Sequence, residues 1–415
     1  MKSRFIMFAF AVALAGMAAF GQEWATGDVT ATLDGGTLTI SGSGSMGDYY
    51  NGEYYNQPFN DYPPWYDVGE SITSVVIEEG VTRIGLFAFW GSTNLTSVTI
   101  PQSVIDIEIG SFFACSKLKT INIHPENTEY IVIDDILYTE DLETLVLYPA
   151  GKSERSVIIP DGVRNITELA FIISRIESVT MPNSVRRIGR YAFASCFDLK
   201  SIDIPSSVTS IAESVFFACY NLTSVTIPDG VTSIGARAFR SCRSLTTITI
   251  PSSVKSIGSE AFAGCEKLTS VTNLNPLPQG LGKDAFGINV PACSLLVPAE
   301  AIGAYSTADG WKDFKILNLN GEAASVLPRA YMTSANSSLP HISVRGRTLT
   351  VSNLQSSSAP IQLRVLDLRG KTVSSFSAAK SDVGVFSLSK IPAGKYLVEL
   401  RRSGARLETM SVMVR

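Results

Sequence analysis

Histidine is nearly missing from the 415-residue chain, which holds only His124 and His341. A histidine-relayed triad or a His-rich metal centre would have to rest on one of those two side chains. The sequence also has no C-x-x-C pair, no G-x-S-x-G, no H-E-x-x-H and no phosphate-binding glycine loop. The short motifs of hydrolytic, metal and nucleotide chemistry are therefore lacking, and a non-enzymatic protein without cofactor or metal is expected. Charge is sparse as well: Asp, Glu, Lys and Arg supply 17% of the chain, against about 25% in a typical soluble domain. The 34 basic and 38 acidic residues leave a net charge of −4, which is not the basic footprint of a nucleic-acid binder. Uncharged Ser and Thr must cover much of the surface. Beyond the first residues no run is apolar and long enough to cross a bilayer, so the mature chain is expected to have no transmembrane segment.

The leading residues carry a different signal. Lys2 and Arg4 precede an apolar run from Phe5 to Phe20, and Ala19-Phe20-Gly21 has the small-x-small pattern accepted by signal peptidase before Gln22. Residues 1–21 are expected to be a cleaved signal peptide. Charge is also unevenly spread: residues 341–415 hold 12 basic and 4 acidic residues, net +8, and the rest of the chain 22 and 34, net −12. Two electrostatically distinct modules share the chain.

An internal period sets the fold. Cys196, Cys219, Cys242 and Cys265 are spaced 23 residues apart. Aligning on them gives a unit reading L-x-x-V-x-I-P-x-x-V-x-x-I-x-x-x-A-F-x-x-C-x-x, starting at Ile72, Leu95, Leu118, Glu154, Ile176, Leu199, Leu222, Leu245 and Leu268. The alternation of Val98 and Ile100, or Val225 and Ile227, with Ser and Thr predicts a short strand with one buried face. Pro101, Pro182, Pro205, Pro228 and Pro251 end it. After the Pro, Val231, Ile234, Ala238, Phe239 and Cys242 recur at spacings of three and four, which predicts a turn and a short helical or 3₁₀ return. No unit can bury its own apolar face, so the units must stack with parallel strands about 4.8 Å apart. Phe89, Phe112, Phe171, Phe193, Phe216, Phe239 and Phe262 share one position, which predicts a buried phenylalanine spine. The unit from Leu118 to Ser153 has 36 residues, and its alternating stretches Tyr130 to Tyr138 and Leu145 to Tyr148 predict a hairpin projecting from the stack. That insertion reads equally as a functional face or as structural elaboration.

These phrases, for example Leu222-Thr-Ser-Val-Thr-Ile-Pro-Asp-Gly-Val-Thr-Ser-Ile-Gly-Ala-Arg-Ala-Phe239, resemble the BspA-like, or Treponema pallidum type, leucine-rich-repeat surface proteins of bacteria. The likeness extends to Tyr148-Pro-Ala-Gly-Lys152, to Gly36-Thr-Leu-Thr-Ile-Ser-Gly-Ser-Gly-Ser-Met46 with Pro64-Trp65, and to Leu296-Val-Pro298 with Trp311-Lys-Asp-Phe314, about residues 25 to 320. It implies an α/β leucine-rich-repeat solenoid of about nine 23-residue units, and an adhesion or interaction protein without a common active site. The expected layout is an N-terminal solenoid cap over 22–71, repeats over 72–267 with the expanded unit 118–153, a C-terminal cap over 268–320, a linker over 321–340 and an all-β sandwich over 341–415. In that last module Val365-Leu-Asp-Leu-Arg-Gly-Lys371 and Pro392-Ala-Gly-Lys-Tyr-Leu-Val398 resemble the C-terminal sorting domains of type IX secretion cargo. That resemblance implies the secretion machinery as one partner and the outer-membrane surface, or release beyond it, as the destination.

Ligand candidates are few. The first cap is dense in aromatics, among them Tyr54, Tyr55 and Trp65, which either stack on the sugars of a glycan or seal the solenoid end. Arg237, Arg240 and Arg243 form a basic patch that either attracts an anionic polymer or lies on a solvated convex face. Outward strand positions such as Thr99, Thr226 and Thr249 give a hydroxyl-covered face suited to an extended protein or glycan. Cys115, Cys196, Cys219, Cys242 and Cys265 share one slot that Ser92 and Ser174 fill elsewhere, so free buried thiols are expected there. Cys293 lies outside the pattern and is placed to pair with Cys265. The acids near His124, namely Glu126, Glu129, Asp134 and Asp135, lack the spacing of an oxygen-ligand loop and read as turn acids.

Overall fold

A computed structural model describes residues 21–50, 61–321, 341–345, 348–352, 361–366, 371–378, 383–388, 391–392, 394–402 and 405–414. The expected signal peptide, Tyr54 and Tyr55, and nearly all of the linker lie outside the described residues. The chain folds as two compact units, 1–325 and 326–415.

The first unit is a parallel-strand solenoid. Its strands Ser74–Ile77, Ser97–Ile100 and Thr120–Ile123 pair in register, Ser74 with Ser97 and Ser97 with Thr120, as do Thr247–Ile250 and Ser270–Asn273 further along. The ladder runs past the recognisable units: Thr37–Gly42 precedes it in parallel, and Ser294–Val297 and Lys315–Asn318 follow it. Alternation decides which face is buried, since Val98 and Ile100 point inward and Thr99 outward.

The returns are not helical. Each is a chain of turns beside a second parallel ladder of two residues per unit, such as Ser210–Ile211, Ser233–Ile234 and Ser256–Ile257. Helix is blocked because left-handed backbone recurs four residues apart in many units: Tyr191 (φ 55°) and Ser195 (57°), Ser214 (53°) and Ala218 (58°), Arg237 (56°) and Ser241 (63°). Each costs about 1–2 kcal/mol. In exchange, alternate amides leave the turn and bond to the next rung. Phe216 N–H donates to the Ala238 carbonyl at 2.9 Å and Ala218 N–H to the Arg240 carbonyl at 2.8 Å, a pattern repeated by Phe193 with Val215 and Phe239 with Ala261. All of these bonds run forward along the chain.

Beneath the turns lies the aromatic spine. Tyr148, Phe171, Phe193, Phe216, Phe239, Phe262 and Phe286 stack with centroids 4.8 to 5.6 Å apart. Phe89 and Phe112 form a second stack at 5.2 Å.

The expanded unit corrects the hairpin expectation. It is a three-stranded antiparallel meander, Tyr130–Ile133, Ile136–Thr139 and Thr144–Leu147, and it does not project. Asp134 and Asp135, both with positive φ, make its first turn. Leu137 faces one core, which runs from Val29 to Leu118 and Ile121, while Ile136 and Tyr138 face the other, which runs on to Phe314. The meander is thus a wall between two cores. Consecutive apolar residues at 136–138 are what a strand buried on both faces requires. Lys152, its side chain 7% exposed, clips the wall by donating to the Asp134 carbonyl and pairing with Asp135 at 3.3 Å.

Among its described residues the second unit holds two antiparallel sheets: His341–Arg345, Thr348–Ser352 and Val383–Ser387 in one, and Thr372–Ala378, Ile361–Leu366, Gly394–Arg402 and Ala405–Val414 in the other. Leu349, Leu363, Val365, Leu388 and Val398 are buried.

Candidate functional site

The outward strand positions form rows of hydroxyls along the first unit. Ser201, Ser224 and Thr247 make one exposed row, and Thr180, Thr226 and Thr249 make another, with Asp203 among them. At the border of the face the hydroxyls are already used: Thr96 and Thr223 donate to the carbonyls of Thr73 and Lys200 at 2.8 and 3.0 Å. Charge enters at Arg155, which pairs with Glu177 at 2.8 Å and Asp198 at 3.2 Å, and Glu177 also meets Lys200. Ile158, 78% exposed, is an apolar side chain level with Thr180 in the outer row.

The turn face carries the arginines. Arg237 and Arg240 both bond Glu260 in the next unit, at 2.8 and 2.5 Å, and Arg190 pairs with Glu213 at 3.0 Å. Arg243 lies 4.5 Å over the Tyr220 ring and 3.3 Å from Glu266. The patch that looks basic in sequence is a row of alternating charge, because each of these bases faces an acid 20 to 23 residues further along the chain. The Arg237 guanidinium beside Glu260 holds that carboxyl below the usual range. Its contribution is present above the ordinary carboxylate pKa and is lost only as pH falls through the lowered value.

Trp65 is fully buried, so it offers no ring face to a sugar, contrary to the glycan expectation. Its ring stacks on Phe89 at 6.1 Å, and its indole N–H donates to the Ala88 carbonyl at 3.1 Å. In later rungs the equivalent carbonyls, Ala192 and Ala238, accept the amide of the preceding rung. Trp65 therefore seals the first rung. Among the described residues of this region Tyr50 and Tyr62 are exposed, each at 41%, and Tyr62 stacks on Trp90 at 4.7 Å. Sequence reasoning passes over Trp90, which sits one residue after the spine Phe89, the position that Phe113 holds in the next unit. It also misses the stack of Phe197 on Tyr220 at 5.0 Å, although aromatics one residue after Cys196 and Cys219 are there to be read.

All six cysteines are buried and none is in a disulfide, so Cys293 does not pair with Cys265. The thiols of Cys196, Cys219, Cys242 and Cys265 donate to the carbonyls of Phe171, Phe193, Phe216 and Phe239 in the preceding rung at 3.1 to 3.2 Å. A serine hydroxyl can make the same bond, which explains the shared slot. Ser92 holds that slot where Trp65 precedes it, and its hydroxyl has no partner. Burial pushes the Cys196 and Cys265 thiols up to about 12, and the others also rise. Thiols held neutral react slowly. We expect Cys219→Ser to fold with a loss of about 1 kcal/mol or less, and Cys219→Val to lose more, because it removes the donor. Urea unfolding checks this, and a thiol reagent at pH 8 should label the native chain only at the rate at which it opens. Rapid labelling of all six native thiols would contradict the burial.

A family profile described as BspA type leucine rich repeat region matches residues 66–149 and 150–279 in six copies, just over half the chain. The pneumococcal vaccine antigen PcpA is 16% identical over 72% of this chain and 99% of its own, with a TM-score of 0.52, a likeness of fold. A leucine rich cell surface protein from Faecalibacterium prausnitzii is 22% identical over 61% of this chain and 94% of its own, with a TM-score of 0.43. The T. pallidum leucine rich repeat protein is 21% identical over 74% of this chain and 99% of its own, with a TM-score of 0.24. No curated protein matches the sequence.

Proposed function

The chain belongs to the BspA type leucine-rich-repeat family, and on that premise we propose that it is an exported, non-enzymatic protein of the bacterial surface that binds another macromolecule, for adhesion or protein–protein interaction. The observation that carries this reading is the outward strand face. Its rows of exposed Ser and Thr are held in register by paired backbone, so many weak contacts are presented at no ordering cost to the scaffold. Export rests on Lys2, Arg4 and the apolar run to Phe20; outer-membrane sorting rests on the Val365 to Lys371 and Pro392 to Val398 phrases.

The test is binding of the purified full chain to immobilised proteins and glycans. Thr226→Arg with Thr249→Arg should weaken saturable binding by about tenfold or more, with stability within about 0.5 kcal/mol, because both side chains are exposed. Saturable binding untouched by the pair would move the contact off this face, and its absence for both classes would sink the reading.

A second reading is attachment to polysaccharide through the N-terminal aromatics, with Tyr54 and Tyr55. The exposed Tyr62 stacked on Trp90 favours it. In that case Tyr62→Ala would abolish retention on insoluble polysaccharide, while the threonine pair would leave it intact.

A further inference from the structure

The stretch up to the wall is far more acidic than the stretch beyond it. Residues 22–150 hold 19 acidic and 3 basic residues, net −16, while residues 151–321 hold 14 and 16, net +2. The three bases are occupied or distant. Arg83 is held by Asp48, Asp106 and Glu108 at 2.6 to 3.2 Å, and Lys117 donates to the Asn94 side chain at 2.8 Å. Lys119 stands before its strand, where its amide donates to the Thr96 carbonyl. Acids gather instead at the corner that follows the strands and leads into the second ladder. Glu78 and Glu79 come directly after the strand Ser74–Ile77, and the Gln102 N–H of the next rung donates to Glu79 at 2.9 Å. Asn127 donates to the Val104 carbonyl at 2.8 Å, which sets Glu126 and Glu129 on the rung after that. These four residues are exposed, and none has a cationic partner among the described residues.

An apolar side chain stands exposed among them. Ile105, 60% exposed, lies just before the second-ladder strand Asp106–Ile107, and its amide donates to the Thr82 carbonyl of the preceding rung at 2.9 Å. The same place in other rungs holds Thr82, Arg186, Thr209 or Lys255, so the repeat does not demand an isoleucine there. Glu78 and Glu79 belong to the rung before Ile105 and Glu126 and Glu129 to the rung after, which spaces the two acidic pairs about 10 Å apart. Their field reaches Tyr130, whose hydroxyl accepts from the Ile107 N–H at 3.0 Å. Burial raises that hydroxyl's pKa, the bond from Ile107 opposes the rise, and the charges of Asp106, Glu129 and Glu108 add to it. A metal ion is a poor match, since no three ligating groups converge among the described residues. An anionic polymer is repelled.

We propose that this corner docks a basic segment of a partner protein, with an apolar residue against Ile105 and lysines or arginines about 10 Å apart facing the two acidic rungs. Charge complementarity selects the occupant: the acids draw a cationic chain in from a distance, and the apolar contact fixes where it settles. This rests on the reading of the chain as an interaction scaffold and gives that reading a second surface, on the other side of the wall from Thr226 and Thr249.

The experiment titrates the full chain with acetylated, amidated twelve-residue peptides built from Lys, Leu and Thr, and with versions in which Glu replaces Lys. A lysine peptide should bind saturably, about tenfold or more weaker in 500 mM than in 50 mM NaCl, with the loss mainly in the association rate. The glutamate versions should not bind. Glu79→Gln with Glu126→Gln, and separately Ile105→Ser, should each weaken the lysine peptide by about fivefold or more with the melting temperature unchanged, because these side chains are exposed. Asp67→Asn with Glu70→Gln removes as much charge from exposed acids that precede the strand instead, and should change binding by less than about twofold. The proposal is overturned if no lysine peptide binds, if a glutamate version binds as well, if Ile105→Ser leaves binding intact, or if the two acid pairs weaken it equally. Displacement of the peptide by equimolar calcium would assign the acids to a metal instead, and salt-sensitive self-association that excludes the peptide would assign the corner to a second copy. A macromolecule bound through Thr226 and Thr249 by a chain that takes up no lysine peptide would sink this corner and leave the scaffold reading standing.

Discussion

Phe216→Ala is expected to cost about 3–5 kcal/mol, the range for truncating an enclosed aromatic. Phe216 has no exposed surface and stacks on Phe193 at 5.6 Å and on Phe239 at 5.3 Å. The truncation therefore opens a void between two rungs whose rings cannot close on each other, because paired strands and three turn-side hydrogen bonds fix the spacing. The void interrupts nearest-neighbour coupling, which supplies much of a solenoid's stability. Amides on both sides, in the rungs of Phe193 and Phe239, should lose protection before the ends do. Chemical unfolding read alongside hydrogen exchange checks both parts. Phe216→Leu, which keeps most of the volume, should lose much less. A Phe216→Ala protein within about 1 kcal/mol of the parent would mean that the spine is filled rather than coupled.

Trp65→Ala should be comparably severe, about 3–5 kcal/mol, but with a different distribution. Trp65 is the first ring of the N-terminal stack and meets Trp24 and Tyr49 edge-on at 6.3 Å. It also supplies the donor for the Ala88 carbonyl. Trp65→Phe separates the two contributions: it keeps the stack and leaves that carbonyl without its donor, at about 1–3 kcal/mol. Loss of protection in the Trp65→Ala protein should begin at the strand Thr37–Gly42 and the first repeats and stop at the wall, beyond which a separate core continues. If Trp65→Ala instead abolished polysaccharide retention without lowering stability, the sealing role would be wrong.

The strand face is readable in the sequence because each unit repeats a period of two at a fixed 23-residue step, and burial follows that alternation directly. The returns mislead for a specific reason. Residues such as Leu169, Ser214, Arg237 and Glu260 adopt left-handed backbone with no glycine to announce it, while the apolar spacing of three and four survives in the turns and imitates a helix. The second ladder escapes notice because two residues per unit, Ser233 and Ile234 for instance, are too few to show a period. At the expanded unit the strands are legible, but the sign of double burial lies in only three consecutive apolar residues, Ile136, Leu137 and Tyr138, inside a longer alternating stretch. The candidate ligand residues differ from one another. Trp65 belongs to the core, and composition does not separate a sealing aromatic from a presenting one. Arg237 and Arg240 share Glu260, a neighbour that a separation of 20 or more residues hides.

The one-way ladder of turn-side amides also has an electrical consequence. Each peptide group carries a dipole of about 3.5 D, and on the turn side the bridging amides of successive rungs point the same way, with N–H leading and C=O trailing. The dipoles add along the stack as they do in a helix, so each uninterrupted stretch is positive at its C-terminal end and negative at its N-terminal end. The wall cuts this array in two. The positive pole of the first stretch then falls near Phe112, and the second stretch opens at Tyr148, whose N–H donates to the Ala170 carbonyl at 2.8 Å, so the molecule carries an internal junction of opposite poles as well as those at its ends.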